Sequence, residues 1–335
     1  MTKFGRSQTL SRLEDHRFLT GQGRYVDDIV PAGALHAVFL RSPHAHATIA
    51  GIDGSAALRV PGVRAVLTCA DLDAAGLAQG TEAELLKLPQ GGVGAVPVRP
   101  YLARGRAAHV GEAVALVVAD SLAAARDGAE AVEVDYQVRP AALAIAPGGP
   151  EIHAGVAGNV AYDYRLGDEA ATAAALAASA HRVTLRVVHN RVVANPMEPR
   201  TVFAEWDGGR VHVCVSGQGV WEQKKALAHG LNIDAAQVRV TTPDVGGGFG
   251  IKGASYPEYI VLAHAARVVR APVRWAADRT ETMLTDNGGR DLVTETEMGF
   301  DTDHHITAYR VNVLSNMGAY NAPFGQLIQS ELFSK

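Results

Sequence analysis

Four glycines packed around Phe249 constrain this chain more than any other feature. They sit in the run from Val238 to Arg270, VRVTTPDVGGGFGIKGASYPEYIVLAHAARVVR. The β-branched residues from Val238 to Thr242 read as a strand and the glycines as a loop. Apolar helical spacing begins at about Ser255, and Pro272 rules out its continuation. Glycine has no Cβ to hold a ligand off and reaches φ > 0, so successive amides in such a loop converge on oxygens or anions. The pattern predicts a cofactor loop between a strand and a helix. Gly248, Gly250 and Gly253 satisfy G-x-G-x-x-G, and Asp278 follows about 25 residues on, at the end of the strand VRWAAD, as a dinucleotide site requires. The extra glycines, Lys252 and the position deep in the chain fit that fingerprint poorly. No Gly-Lys-Ser/Thr follows, which excludes a phosphate-binding P-loop. On pattern alone, a tight turn without a ligand stays open beside the cofactor readings.

A length of 335 residues allows about two domains with real cores. A net charge of −4 from mixed signs gives no basic field for nucleic acid and no patch for an anionic membrane. Cys69 and Cys214 are too few and too far apart for a metal or iron–sulfur framework, so they read as buried thiols in a reducing compartment, the cytoplasm. No apolar run approaches the roughly 20 residues of a spanning helix, and the N-terminus lacks a signal-like apolar core.

In chain order, residues 1–20 read as a charged arm. Residues 21–138 form an α+β unit. ALHAVFLRSPHAHATIAGID predicts two strands joined around a turn at Ser42-Pro43, Ala113 to Val118 a strand buried on both faces, and Ser121 the cap of a helix. This unit is expected to fold by itself. Residues 139–165, rich in proline and glycine, read as a linker. Residues 166–335 form a second, mixed α/β unit, with a hairpin turning at Asp207-Gly208-Gly209 and two alternating runs divided by a charged turn at Asp301 to His305.

His44 and His46 alternate as a strand-borne metal pair would, yet no third ligand accompanies them, and His304 and His305 read as a solvated turn. No nucleophile motif is present. Two loops remain, ANPMEPR (194–200) and SGQG (216–219), the second presenting the Gln218 amide between glycines. Both are expected to face the glycine loop across a cleft.

Taken together, GRYVDDI (23–29), RSPHAHA (41–47), PGVRAVLT (61–68), HVGEAVALVVAD (109–120), EVDYQVRPA (133–141), NRVVANPMEPR (190–200), DVGGGFGIKG (244–253), the run from RAPVRW to DRTE (270–281) and GGRD (288–291) resemble the molybdopterin-binding large subunits of the xanthine dehydrogenase, aldehyde oxidase and carbon monoxide dehydrogenase family. The resemblance implies an α+β fold: an a/b hammerhead domain over 21–138, then a first molybdopterin-binding domain over 166–335 that is incomplete at its C-terminus. It implies that Gly247, Gly248, Phe249 and Gly250 offer main-chain N–H groups to the dithiolene and the metal's oxygen ligands, with Gln218 beside them. Gly253 stands where purine-oxidising members carry a substrate-contacting glutamate, so purines are not the expected substrates.

The implied cofactor is molybdenum–molybdopterin, in the cytosine dinucleotide form expected of bacterial members. 2Fe–2S clusters and FAD are expected on partner subunits, and a further polypeptide is expected to supply the C-terminal molybdenum domain. The implied reaction is hydroxylation at carbon, or oxidation of an aldehyde, an N-heterocycle or carbon monoxide. No catalytic residue and no metal ligand is expected in this chain, because the family's general-base glutamate lies beyond its end. Glu198 reads as a structural partner for a backbone or arginine group. A non-catalytic cofactor-cradle subunit and an NAD-binding protein are the alternatives.

Overall fold

The computed structural model describes residues 11–81 and 83–332; the first ten residues of the predicted arm lie outside these. Helix α1 (Asp15–Leu19) is followed by strands β1 (Leu35–Arg41), β2 (Ala47–Asp53) and β3 (Val63–Leu67) and helix α2 (Cys69–Ala74). Strands β4 (Gly80–Thr81), β5 (Arg99–Pro100), β6 (Arg106–Ala107) and β7 (Ala113–Ala119), helix α3 (Leu122–Glu130) and strand β8 (Glu133–Val138) complete the first part. Beyond the linker come α4 (Glu169–Ala178), β9 (His181–Val192), β10 (Thr201–Asp207), β11 (Arg210–Val215), α5 (Trp221–Leu231), β12 (Val238–Thr241), α6 (Pro257–Val269), β13 (Val273–Ala276), α7 (Arg279–Thr285), β14 (Gly289–Phe300) and β15 (Ile306–Ser315). The fold is α+β.

Local chemistry accounts for most of these boundaries. Ser121 and Asp168 accept the amides of Ala124 and Ala171 and so start α3 and α4. Gly208 and Gly209, both at positive φ, turn β10 into β11. Pro257 sits at the first position of α6, where a missing N–H costs nothing.

Seven strands form one sheet in the order β12-β11-β10-β13-β1-β7-β3. Side chains alternate across it. Val202 and Ala204 of β10, Val211, Val213 and Val215 of β11, and Leu116 and Val118 of β7 share a core with α6, which is buried from Pro257 to Ala266. The opposite face is covered in two places: Val117 packs with Ala129 of α3, while Phe203 and Cys214 pack with Val26. β7 is buried along its whole length, as its continuous apolar run predicts.

The two strands expected on either side of Ser42-Pro43 are present, β1 in the large sheet and β2 between β6 and β8 in a three-stranded sheet. One expectation is not met: residues 21–138 do not close a unit of their own. β1 runs parallel to β13, with Leu35 opposite Val273 and His36 opposite Arg274, and the core under β7 is completed by α6. The reason is physical: an apolar alternation marks a strand but not its partner, and this pairing joins distant parts of the chain.

A further three-stranded sheet, β15-β14-β9, sets Val183, Met298 and Tyr309 in one row, with Val183 and Tyr309 exposed. In the neighbouring row Glu297 bonds Arg182 and Arg310.

Candidate cofactor-binding site

The glycine loop leaves the end of β12 and reaches α6 through a single turn at Ile251–Gly253. Both loops singled out in the sequence meet it. Thr242 Oγ accepts from the Gly217 amide and donates to the Gly217 carbonyl, each at 3.2 Å, which lays SGQG against the end of β12. Gln218 Oε1 then accepts the amides of Gly250 at 2.8 Å and Lys252 at 3.2 Å, and the Gln218 amide donates to the Lys252 carbonyl at 3.0 Å.

On the other side, Glu198 Oε2 accepts the Gly246 amide at 2.8 Å and the Lys252 ammonium at 2.9 Å, while the Glu198 amide donates to the Gly246 carbonyl at 3.1 Å. Glu198 is thus a partner for backbone, as expected, and for a lysine instead of an arginine. The Lys252 side chain is wholly buried, and burial lowers its pKa against the opposing pull of Glu198. Glu198 Oε1 is buried without a donor among the described residues.

The loop is therefore pinned on both flanks and free in its middle. Among the described residues no acceptor takes the amides of Gly247, Gly248 or Phe249. Gly247 has φ 98°, Phe249 φ 50° and Gly250 φ 93°. Alternation of this kind turns successive N–H groups toward a common point, the geometry of an anion-binding nest. Phe249 is the unusual member: a bulky residue in the left-handed region is strained, and the residue is 75% exposed. Gly248 has an additional reason to be glycine, since a Cβ there would lie 2.4 Å from Gln218 Cδ.

The dinucleotide reading fails on this geometry. A pyrophosphate needs the free amides of a helix N-terminus, but the first turn of α6 carries Pro257, which has no amide proton, and the buried carboxylate Glu258. Asp278 is occupied as the N-cap of α7, accepting the Glu281 amide at 2.8 Å. Gly253 donates its amide to the Gly250 carbonyl within the turn.

Beneath the loop lies a cluster that sequence reasoning missed. Arg200 is completely buried; it donates to Asp286 at 2.5 Å, Glu258 at 3.1 Å and the Thr285 hydroxyl at 2.5 Å, with its guanidinium 3.9 Å from the Tyr256 ring centre. Arg41 from β1 donates to Glu258 at 2.9 Å and to Glu281 at 2.9 Å. Burial acts to raise the pKa of Glu258, but Arg200 and Arg41 overcome it and hold the carboxyl well below the usual range. The one available signal was an arginine opening the strand TVFAEW directly after Pro199.

Other candidates dissolve. The His46 ring bonds the Pro140 carbonyl at 2.8 Å and His44 stacks edge-on to Tyr136, so they form no metal pair. Asp301, Asp303 and His305 lie close enough to share a cation, but Asp301 already accepts the amides of residues 303 and 305 in that exposed turn. A cavity of about 400 Å³ lies away from the glycine loop, between the linker and the end of β15, with His109, Tyr162 and Tyr320 in its wall.

Comparison with known proteins agrees with this architecture. Residues 20–140 match the family described as aldehyde oxidase and xanthine dehydrogenase, a/b hammerhead domain, and residues 152–335 the molybdopterin cofactor-binding domain. The chain is 36% identical over 93% of its length to the nicotine 6-hydroxylase large subunit of Paenarthrobacter nicotinovorans, and 33% identical over 92% to the carbon monoxide dehydrogenase large chain of Hydrogenophaga pseudoflava. It spans only 38% and 39% of those relatives. The crystal structure of quinoline 2-oxidoreductase from Pseudomonas putida 86 superposes with a TM-score of 0.83 at 35% identity, covering 96% of this chain and 41% of that one.

Proposed function

The chain belongs to the xanthine dehydrogenase, aldehyde oxidase and carbon monoxide dehydrogenase family, and we propose that it supplies the cofactor cradle of a molybdenum hydroxylase. One observation carries this reading: three consecutive amides, those of Gly247, Gly248 and Phe249, have no acceptor among the described residues, in a loop pinned at Gly246, Gly250 and Lys252. These residues fit a dithiolene and the oxygen ligands of a metal, which offer acceptors to the main-chain N–H groups. Gly250 keeps the loop's left-handed turn, and Gln218, whose Oε1 is spent on the loop, has its amide nitrogen left to face the cofactor. When bound, the molybdenum centre supplies two-electron oxidation of a small molecule.

The chain's own residues bind and orient; none is assigned a catalytic or metal-ligating role. Glu198, the carboxylate beside the loop, is held by Lys252 and the Gly246 amide. Substrate classes that fit are aldehydes, N-heterocycles and carbon monoxide. A side chain at Gly253 would meet nothing within 4 Å, so the position faces open space and offers no carboxylate to a purine. Two cysteines cannot hold an iron–sulfur cluster, which supports electron transfer to partner subunits carrying 2Fe–2S clusters and FAD. The cytosine dinucleotide form of the cofactor, a cytoplasmic location, boundaries at 21–138, 139–165 and 166–335, and a further polypeptide completing the molybdenum domain belong to the same proposal. No helix among the described residues is long and apolar enough to cross a membrane.

The test compares the chain alone with the chain co-produced with a polypeptide equivalent to the rest of its relatives. Molybdenum and pterin are measured in each, and turnover is assayed with aldehydes, N-heterocycles and carbon monoxide using an artificial electron acceptor. Turnover is expected only in the assembly. Turnover by the chain alone, in proportion to its molybdenum, would refute the proposal; cofactor without turnover in the assembly would leave a non-catalytic cradle.

A further inference from the structure

We infer that Arg17 and Asp244 form a clamp through which the N-terminal segment sets the position of the glycine loop, making Arg17 a positioning residue for cofactor binding; this rests on the cofactor reading of that loop. Asp244 stands two residues before Gly246, where the chain turns from β12 into the loop. Its carboxylate takes both arms of one guanidinium, Arg17 Nη1 on Oδ2 and Nη2 on Oδ1 at 2.7 Å. Oδ2 also accepts the Arg24 amide at 2.7 Å, and the Asp244 amide donates to the Arg24 carbonyl at 3.1 Å. Fork-to-carboxylate contacts fix orientation as well as distance. The Arg17 hydrogen bond, followed by that from the Arg24 amide, holds the Asp244 carboxyl down at about 2.

The segment that carries this clamp is itself anchored to the sheet. Val26 is buried against Phe203 and Cys214, and Asp27 pairs with Arg274 of β13. Glu198 and Gln218 hold the loop at Gly246, Gly250 and Lys252, whereas the approach at Asp244 is held by residues 17–24. The pair sits at the rim, with the Arg17 side chain 36% exposed. Pairs so placed contribute little to global stability, so the contact can be removed without unfolding the protein. What it fixes is where the loop begins.

The test uses the full chain in its assembly, with Arg17→Ala, Arg17→Lys and Asp244→Asn compared with wild type. Hydrogen exchange is read separately over 245–251 and over α6, beside the Tm and the pterin lost on dilution. Arg17→Ala should speed exchange over 245–251 by about two- to fivefold, leave α6 unchanged and keep the Tm within about 2 °C of wild type. Its pterin should leave several-fold faster. Arg17→Lys, which keeps the charge but not the fork, should recover part of each effect. Unchanged loop exchange in Arg17→Ala, or loop and α6 loosening together with a fallen Tm, would overturn the clamp. If loop exchange responds but the wild-type assembly carries no pterin, the cofactor reading fails. If Gly250→Val strips pterin while Arg17→Ala leaves loop exchange untouched, that reading stands and the clamp fails.

Discussion

Gly248→Val should loosen the cradle without unfolding the protein. A Cβ at position 248 would lie 2.4 Å from Gln218 Cδ and 2.5 Å from Cγ, far inside ordinary contact, so the Gln218 side chain must leave. Its departure removes the two hydrogen bonds Oε1 makes, to the amides of Gly250 and Lys252. Each is worth about 1 kcal/mol net. Gln218 is exposed and its freed oxygen rehydrates, so the full penalty of a buried orphan does not apply. The loop therefore loses about 1–2 kcal/mol of local order, roughly a 5- to 30-fold shift toward open loop conformations. Hydrogen exchange over 246–253 measures that shift, and molybdenum per subunit in the assembly should fall with it. Because the valine acts by displacing Gln218, Gly248→Val and Gln218→Ala should not add; the double variant should exchange no faster than the more affected single one. Fully additive effects, or Gly248→Val exchanging like wild type, would refute the reasoning.

Arg200→Met leaves the buried carboxylates of Glu258 and Asp286 short of their cation and should cost about 3–5 kcal/mol, read as a lowered urea midpoint. Glu258 has a depressed pKa in the fold, so its contribution is fully present above the ordinary glutamate value, about 4.3, and is lost progressively as pH falls from there through the lower folded value; Glu258→Gln should flatten the acid limb of stability below about pH 5. Residues 21–138 expressed alone should melt without cooperativity, because the β1 edge that pairs with β13 and the face of β7 that packs on α6 are then bare; a sharp, reversible transition would count against the shared core.

Features encoded by neighbouring residues were legible in the sequence. The glycine loop, the Asp207-Gly208-Gly209 turn, the caps at Ser121 and Asp168 and the doubly buried β7 each follow from local backbone and side-chain chemistry, and the structure shows them there. The juxtaposition of SGQG and ANPMEPR with the loop was also expected, from the prolines that rigidify the one and the Gln218 amide that the other presents between glycines. What stayed hidden depends on distant partners. The β1–β13 pairing rests on two residue pairs that no local pattern announces. Arg200 looks like a strand-edge charge until Glu258 and Asp286 arrive from other elements. Asp278 satisfies a ribose-binding spacing in sequence, and only the start of α7 at Arg279 shows it to be a helix cap.

The central claim is that the free amides of Gly247, Gly248 and Phe249 hold the cofactor, and a crystal structure of the assembled, cofactor-loaded protein tests it most directly. Acceptor atoms of the metal centre or its dithiolene should lie about 3 Å from these three nitrogens, with Gln218 still bonded to Gly250 and Glu198 to Gly246. A cofactor seated elsewhere, with the three amides turned to water, would contradict the account.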